Sequence, residues 1–410
     1  MDHTVSLPVG QRGETLSGLI DHAVAQAVDK ALQPLSQRSG LGESLLLSGR
    51  GPATPAGQVA APPAKGQGFA RIVRALGAAK GIPQLAADFA AKTWGAEGEV
   101  IAKTLAAGSG SSGGFLVPEN YSAEIIDLLR QRTVVRRAGA LVVPMNGSLL
   151  MPKLASGAAA SYIGENQTIS KTSPGFGQLR LTSRKLAAMV PLSNDLLRTA
   201  SPQADQVVLD DLIAGMSVTE DAAFLRNDGT GNAPKGLRYW ADPTQVTLSS
   251  GTGAVEIEAD LKALVTTLEE ASVRMLRPAW FMAPRSRNHL FILRDAVGNL
   301  LFPELRITDP QAPFGRLWGY PVFPSNNLPT DGGVGGDESE VMLADMADVL
   351  IGEDGQIEIS LSDTAAYHDG SSVVAAFSQD QTVVRAIARH DFALRHDQSV
   401  AVKTGVTWGA

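Results

Sequence analysis

The segment Asp228-Gly229-Thr230-Gly231-Asn232 has the residue types of a cation-binding loop, because carboxylate, hydroxyl and amide groups alternate with glycines. A calcium loop needs more oxygen ligands than this segment offers, and it needs a closing Glu that does not follow at the right distance. The same residue types are typical of a turn that stops a helix. We therefore interpret the segment as a structural turn, formed by Asn227, Asp228, Gly229, Thr230, Gly231 and Asn232.

Other groups that could do chemistry are scattered along the chain. His390 and His396 are six residues apart, a spacing that frames no metal site, so we interpret them as surface or packing residues. Gly108-Ser109-Gly110 has a flexible composition rather than the strand–turn–helix context of a nucleophile elbow. The chain contains no Cys. We predict no catalytic residue, no cofactor and no metal, which favours a structural protein over an enzyme.

A long helix leads into the turn. Between residues 202 and 227 the apolar residues recur at mixed three- and four-residue steps, which is typical of one buried helix face. Ser201 is suited to the N-cap and Pro202 to the first helical position. A helix of about 25 residues is roughly 40 Å long. The sequence therefore predicts an elongated structure built along this helix.

The first 110 residues differ in composition from the remainder. Residues 13–35, 69–76 and 83–104 have helical periodicity, and 48–68 is a linker rich in Gly, Pro and Ala. The Gly/Ser run at 106–114 indicates a domain boundary. Residues 1–110 carry a charge of +2 and the rest −9, and such an acidic body argues against a tight grip on nucleic acid. We predict that residues 1–110 form a separable, mostly helical segment.

The chain after the boundary mixes helices and strands. Strands at 148–153 and 178–183 flank a long stretch of small and polar residues, which predicts an extended hairpin. Such a hairpin is marginal alone in water and needs another molecule to lie on. No apolar run approaches the roughly 18 residues that span a membrane. The other predicted elements are helices at 122–130, 259–272 and 286–294, and strands at 279–282, 317–323 (with an internal turn), 341–343, 357–361, 383–387 and 400–402.

Three ordered blocks resemble the major capsid proteins of tailed phages with the Hong Kong 97-type fold. The first is Phe224-Leu225-Arg226-Asn227-Asp228-Gly229-Thr230-Gly231-Asn232, followed by Pro234 and Gly236-Leu237. The second is Phe281-Met282-Ala283-Pro284-Arg285 with Leu293-Arg294-Asp295, and the third is Leu317-Trp318-Gly319-Tyr320-Pro321-Val322. Each block is moderately specific by itself, and their common order over about residues 111–405 is strongly so.

The resemblance implies an α+β fold in which helix 202–227 is the spine helix. It also implies that the turn at Asn227–Asn232 is the point where the chain crosses into the axial domain, so Val at Gly229 and Gly231 should disrupt folding or assembly. The implied division is a helical scaffolding segment with linker (1–110), an N-terminal arm (111–145), an extended β-hairpin loop (146–186), a peripheral domain with the spine helix (187–235), an axial domain (236–340) and C-terminal strands of the peripheral domain (341–410).

The resemblance further implies a shell protein that assembles with itself into pentamers and hexamers of an icosahedral phage head. A portal protein, a maturation protease and packaged double-stranded DNA, bound without sequence specificity, are the implied partners. The implied location is the virion, after assembly in a bacterial cytoplasm. The alternatives are a nanocompartment shell of the same fold that encloses an enzyme cargo, which the long leader argues against, and a soluble enzyme, which the missing catalytic residues argue against.

Two further expectations concern single sites. Proteolytic removal of the leader is expected near Lys103, Gly108, Ser109, Gly110 and Ser111, and Glu165 and Lys171 are expected to make contacts from the extended loop. Some family members join subunits through a Lys, an Asn and an assisting Glu, and these fall near Ile169, Thr382 and Arg389 in this chain. Because none of the three residue types matches, we predict no autocatalytic cross-links.

Overall fold

The computed structural model describes residues 67–107, 115–117, 119–156, 162, 175–195, 202–308, 310 and 312–410. The chain divides between Pro62 and Pro63, and the fold below belongs to the unit Pro63–Ala410. The helices are α1 (Gln67–Ala78), α2 (Pro83–Ala107), α3 (Glu119–Arg132), α4 (Val134–Arg137), α5 (Pro202–Arg226), α6 (Leu237–Trp240), α7 (Ala254–Glu270) and α8 (Pro284–Ile292).

Most strands fall into two six-stranded sheets. They are β1 (Phe115–Leu116), β2 (Leu141–Pro144), β3 (Ser148–Ser156), β4 (Gly175–Thr182), β5 (Arg184–Ser193), β6 (Val246–Leu248), β7 (Pro278–Met282), β8 (Arg316–Leu317), β9 (Tyr320–Pro324), β10 (Ser339–Asp345), β11 (Val349–Glu353), β12 (Glu358–Ser362), β13 (Ala366–His368), β14 (Val373–Ala375), β15 (Gln381–Leu394) and β16 (Val400–Val406). Two further two-stranded sheets pair β3 with β4 and β13 with β14.

The first sheet is organised by the long strand β15. Its order is β1-β12-β15-β11-β2, and β5 pairs with β15 along ten residues, from Gln381↔Ser193 to His390↔Arg184. Helix α5 packs on this sheet through a buried face that includes Leu212, Ile213 and Met216. Buried residues of α5 recur at the steps of a helical period, which confirms the predicted helix and its single buried face.

The second sheet has the order β6-β16-β10-β7-β9-β8 and is covered on both faces. Trp280 and Met282 point into a cluster with the apolar face of α7, whereas Phe281 points into a cluster with the end of α5 and the first sheet. All seven residues of β10 are buried. Strands buried on both faces read as continuous apolar runs rather than alternating ones. The predicted turn inside 317–323 is confirmed, with positive φ at Trp318 and Gly319 between β8 and β9.

Two groups of elements pack across the predicted boundaries. Helices α1 and α2 share one hydrophobic cluster with α3, α5 and the first sheet, so residues 67–107 pack against the residues that follow the predicted boundary at 106–114. In the region 341–410, β10 and β16 pair with each other and with β7 in the second sheet, while β11, β12 and β15 lie in the first. Composition and strand periodicity do not reveal which sheet a strand joins, since partners are chosen by tertiary packing.

Candidate functional site

The turn after α5 satisfies its own polar groups. The Asn227 side chain accepts a hydrogen bond from the Gly229 N–H (2.9 Å), and Asp228 Oδ1 accepts from the Thr230 N–H (2.8 Å) and hydroxyl (2.7 Å). The hydrogen bonds from Thr230 lower the pKa of the Asp228 carboxyl. Gly229 and Gly231 have φ of 81° and 67°, which glycine adopts without strain. These contacts are those of a helix-terminating turn that reverses the chain.

A third glycine closes the turn against the helix. The Gly236 N–H donates to the Asn227 carbonyl (2.8 Å), and a Cβ at Gly236 would lie 2.5 Å from the Ala223 carbonyl oxygen and 2.7 Å from the Arg226 nitrogen. Backbone atoms of a helix cannot move away cheaply, so only glycine fits here. Gly236 follows the first block of the family resemblance, but this role is not visible in the sequence, because the tight approach joins residues that are ten or more positions apart.

Two arginines fasten the turn region to the second sheet. Arg226 at the end of α5 and Arg238 in α6 both donate from Nε to Glu340 of β10, at 3.0 and 3.1 Å, one to each carboxylate oxygen. Glu340 is buried, with a side chain only 9% exposed. Helix α5, the chain segment that follows it and the second sheet are thus joined by one carboxylate.

A buried ionic cluster joins α4 to α5 and to β11. Arg136 in α4 pairs with Glu220 of α5 and, at 3.0 Å, with Glu353 of β11. The side chains of Arg136 and Glu220 are each 1% exposed. Burial by itself would lower the pKa of Arg136, but the two carboxylates outweigh it and raise that pKa. Because a buried charge is costly without its partner, this cluster fixes the position of α4 on the helix.

The neighbouring Asp221 caps α4. Its carboxylate accepts hydrogen bonds from the Val134 N–H (2.8 and 2.9 Å) and the Val135 N–H (3.4 Å). Burial, helped by the neighbouring Glu220, raises the pKa of Asp221 to about 7 against the lowering effect of these hydrogen bonds and of Arg136. Beside it, His390 is buried edge-to-face against Phe224 (5.1 Å between ring centroids), which is the packing role expected of this histidine.

The replacement Asp221→Asn should remove a pH dependence of stability between about pH 4 and 7. Because the folded pKa of Asp221, about 7, lies above the ordinary 3.8, its stabilising effect is fully present at low pH and is lost as pH rises through 7. His390 has the opposite sign, since burial lowers its pKa, but it is present in both proteins, as are Glu220, Arg136, Glu353 and Asp391. Urea unfolding at several pH values measures the difference.

Relative to the wild type, the Asn variant should gain stability with rising pH by on the order of 1 kcal/mol per pH unit, on top of a constant offset for the altered hydrogen bonds. Parallel stability curves for the two proteins would contradict this.

The β3–β4 hairpin is anchored at its root. The Thr182 N–H donates to Asp391 of β15 (2.6 Å), and Lys153 pairs with Asp397 (3.0 Å). Leu181 is fully buried, whereas Leu150 is 59% exposed. Among the described strands, β3 and β4 pair only with each other. The predicted contact residues Glu165 and Lys171 lie outside the described residues.

The predicted cleavage region begins in a helix. Lys103 is exposed on the last turns of α2, between the buried Ile101 and Leu105, whereas Gly108, Ser109, Gly110 and Ser111 lie outside the described residues. Of the three family cross-link positions, Thr382 is buried and donates to Asn194 (2.7 Å), and Arg389 pairs with Glu358 (2.9 Å). Ile169 is not among the described residues.

Comparison with known proteins identifies the family of this chain. The profile of the phage capsid family matches residues 113–405, well over half of the chain. The chain belongs to the phage capsid family. It is 38% identical over 353 residues to the major capsid protein of Klebsiella oxytoca phage phiKO2, covering 83% of this chain and 79% of that one. A capsid polyprotein of Pseudomonas phage PAJU2 is 26% identical over 70% of this chain and 44% of its own length.

Solved phage capsid structures have the same fold. A chain from Mycobacterium phage Adephagia superposes with a TM-score of 0.51 at 18% identity, over 66% of this chain and 89% of that one. The capsid of a native GTA particle gives a TM-score of 0.51 at 17% identity, over 68% and 90% of the two chains. The predicted α+β capsid fold is thereby confirmed. Members of this family are structural proteins rather than enzymes. In the described part of the chain, no helix is long and apolar enough to cross a membrane.

Proposed function

We propose that this chain is the major capsid protein of a tailed phage or prophage and forms the icosahedral head shell, with pentamers and hexamers as its building units. The observation that carries the proposal is the 38% identity to a major capsid protein across about four-fifths of both chains. Membership of the family already implies self-assembly of a capsid protein in a virion. Beyond family membership, the proposal specifies the geometry of the shell and the molecule that it encloses.

The β3–β4 hairpin supports a shell built through unlike surfaces. One face of this two-stranded hairpin packs on its own subunit through Leu149, Met151, Leu179 and Leu181. The other face carries Leu150, which is 59% exposed. A neighbouring subunit would supply the missing surface. Contacts that join unlike patches of identical chains close into rings, and rings combine into shells.

The contents would be double-stranded DNA held without sequence readout. The chain carries a formal charge of −7, made up of +2 for residues 1–110 and −9 for residues 111–410. Tight phosphate binding needs an excess of cations on the contacting surface. A net acidic lining would let DNA slide and pack during its entry, which would take place through a portal protein.

Residues 1–110 would act as a built-in scaffold that a maturation protease removes. Lys103 lies inside α2, which continues to Ala107. Because a protease needs an extended chain, the helix disfavours cleavage at Lys103 and favours a bond after the helix. We therefore propose cleavage after Ala107. Residues 67–107 cover Leu212, Ile213 and Met216 of α5, so their departure would uncover apolar surface. That surface would then favour a new contact within the shell.

Electron microscopy and intact-mass analysis test these proposals. Purified chain should form closed particles of uniform size, and hot detergent should release species of 42.9 kDa or less, without covalent multimers. Only small, monodisperse particles under all assembly conditions would refute the shell, and a ladder of multimers would refute the absence of cross-links. In DNA-filled heads the mass should correspond to a chain that begins after Ala107. A full-length chain in such heads would refute the cleavage.

A further inference from the structure

A concave pocket of about 600 Å³ lies where α4 ends, β7 begins and the β8–β9 hairpin turns. Three arginines line it, namely Arg137, Arg277 and Arg316. Among the described residues of its lining no carboxylate occurs. The remaining wall is rich in proline, with Pro278, Pro310, Pro313 and Pro321. Prolines have a fixed φ, so the shape of the pocket is largely preformed.

Arg137 is held in place by aromatic rings rather than by a counter-ion. Its guanidinium lies 5.5 Å from the ring centroid of Phe314 and 5.9 Å from that of Phe323. Within the described part of the chain, it has no ion pair or side-chain hydrogen bond. Stacking on aromatic faces orients the planar guanidinium and leaves its N–H groups free to donate.

Arg277 adds a second cation, and among the described residues its side chain is bonded only to a neutral group. Its Nη1 donates to the Gly139 carbonyl (3.1 Å), and the side chain is exposed. Arg316, whose contacts include a hydrogen bond to the Gly319 carbonyl (3.0 Å), adds to the positive charge of the lining. The nearby Asp345 faces the backbone N–H groups of Leu276 and Arg277 instead of their side chains. Guanidinium groups that converge on one concavity raise its positive potential and attract an anion.

We propose that this pocket receives a carboxylate side chain from a second copy of this chain. The proposal rests on the proposed function, because it names one of the contacts that would hold the shell together. Charge complementarity favours this partner: each chain carries 42 Asp and Glu against 35 Lys and Arg, so a neighbouring copy has an excess of carboxylates to offer. An arginine fork binds a carboxylate through two parallel hydrogen bonds, which fixes orientation as well as affinity.

The size of the pocket also favours a side chain over a nucleic acid. A volume of about 600 Å³ between proline walls accommodates one or two side chains, whereas a DNA duplex would lie across its mouth and place a phosphate there. Complementary charges across an interface set its register and suppress wrong pairings. The pocket would thus act as a specificity contact between subunits.

The test compares the double variant Arg137→Gln/Arg277→Gln with a matched control, Lys185→Gln/Lys262→Gln, which removes the same charge from exposed residues outside the pocket. Both should retain the wild-type melting temperature of the unassembled subunit. The pocket variant should need at least a tenfold higher protein concentration to form shells, since truncating a buried charged contact costs more than the 1.4 kcal/mol of one decade. The control should assemble like the wild type. Arg137→Lys, which keeps the charge but not the fork, should assemble at an intermediate concentration.

Electron cryomicroscopy of wild-type shells identifies the occupant. An Asp or Glu of a neighbouring chain within hydrogen-bonding distance of Arg137 is the expected result. A DNA phosphate or only solvent in the pocket would overturn the proposal, as would wild-type assembly by the double variant. If the wild type itself formed no shells, the proposed function would fail, whereas a normal wild type beside an unaffected double variant refutes only the pocket.

Discussion

Replacing Arg136 with Ala should destabilise the unassembled subunit by about 3–5 kcal/mol, because it leaves the buried carboxylate of Glu220 without its counter-ion. Burial makes the difference. Glu220 is 1% exposed, so water cannot replace the lost guanidinium, and Glu353 loses its partner at the same time. Urea unfolding monitored by circular dichroism measures the loss.

Arg132→Ala is the matched control. Arg132, the last residue of α3, also pairs with α5, through Asp210 at 2.6 Å, but the two side chains are 41% and 48% exposed. Exposed pairs contribute about 1 kcal/mol or less. If Arg136→Ala and Arg132→Ala lowered the free energy of unfolding equally, the buried cluster would not be what holds α4 on α5.

The second large effect is expected at Gly236. Gly236→Ala should cost about 3 kcal/mol or more and leave the subunit poorly folded, because its Cβ would collide with the backbone of Ala223 and Arg226 at the end of α5. The hydrogen-bonded backbone at the end of the helix cannot shift at low cost to make room for the Cβ. Thermal melting and the yield of soluble subunit give the measurement.

Gly231→Ala separates steric collision from backbone strain. Gly231 has φ of 67°, and a Cβ there meets no atom within 4 Å, so the cost is only that of a left-handed residue, about 1–2 kcal/mol. The cost of replacing Gly229 with Ala should lie between those at Gly231 and Gly236, because its Cβ would lie 2.9 Å from the Lys235 side chain. The expectation that Val at Gly229 and Gly231 disrupts folding or assembly stands, but the largest effect moves to Gly236. Equal losses at Gly231 and Gly236 would show that close approach is not the cause.

Local signals in the sequence determined the helices well. The long helix was predicted at 202–227 and lies at Pro202–Arg226, since a proline at its start, a glycine turn at its end and an apolar stripe between them are all local features of the sequence. The hairpin was predicted from its two strands, which are longer in the structure than in the prediction. Ordered sequence blocks identified the family, and the match over residues 113–405 confirms it.

Strands with weak alternation were harder to predict. Strand β5, at Arg184–Ser193, contains Lys185, two alanines and Pro191, and its composition indicates no strand. It forms because β15 offers ten partners along its edge. Pairing with a strand that is distant in sequence stabilises β5 although its intrinsic strand propensity is low.

Only the tertiary structure shows which charged side chains pair and which backbone atoms come into close contact. Arg136, Glu220 and Glu353 come from three distant parts of the chain, so no spacing rule could join them, and their burial sets both their energy and their pKa values. The same holds for Gly236, whose contacts lie in the preceding helix, and for α1 and α2, whose apolar faces could have served a separate domain as well as the shared core. The sequence determines periodicity and turns because they depend on neighbouring residues. Burial and partner choice depend on the whole folded chain.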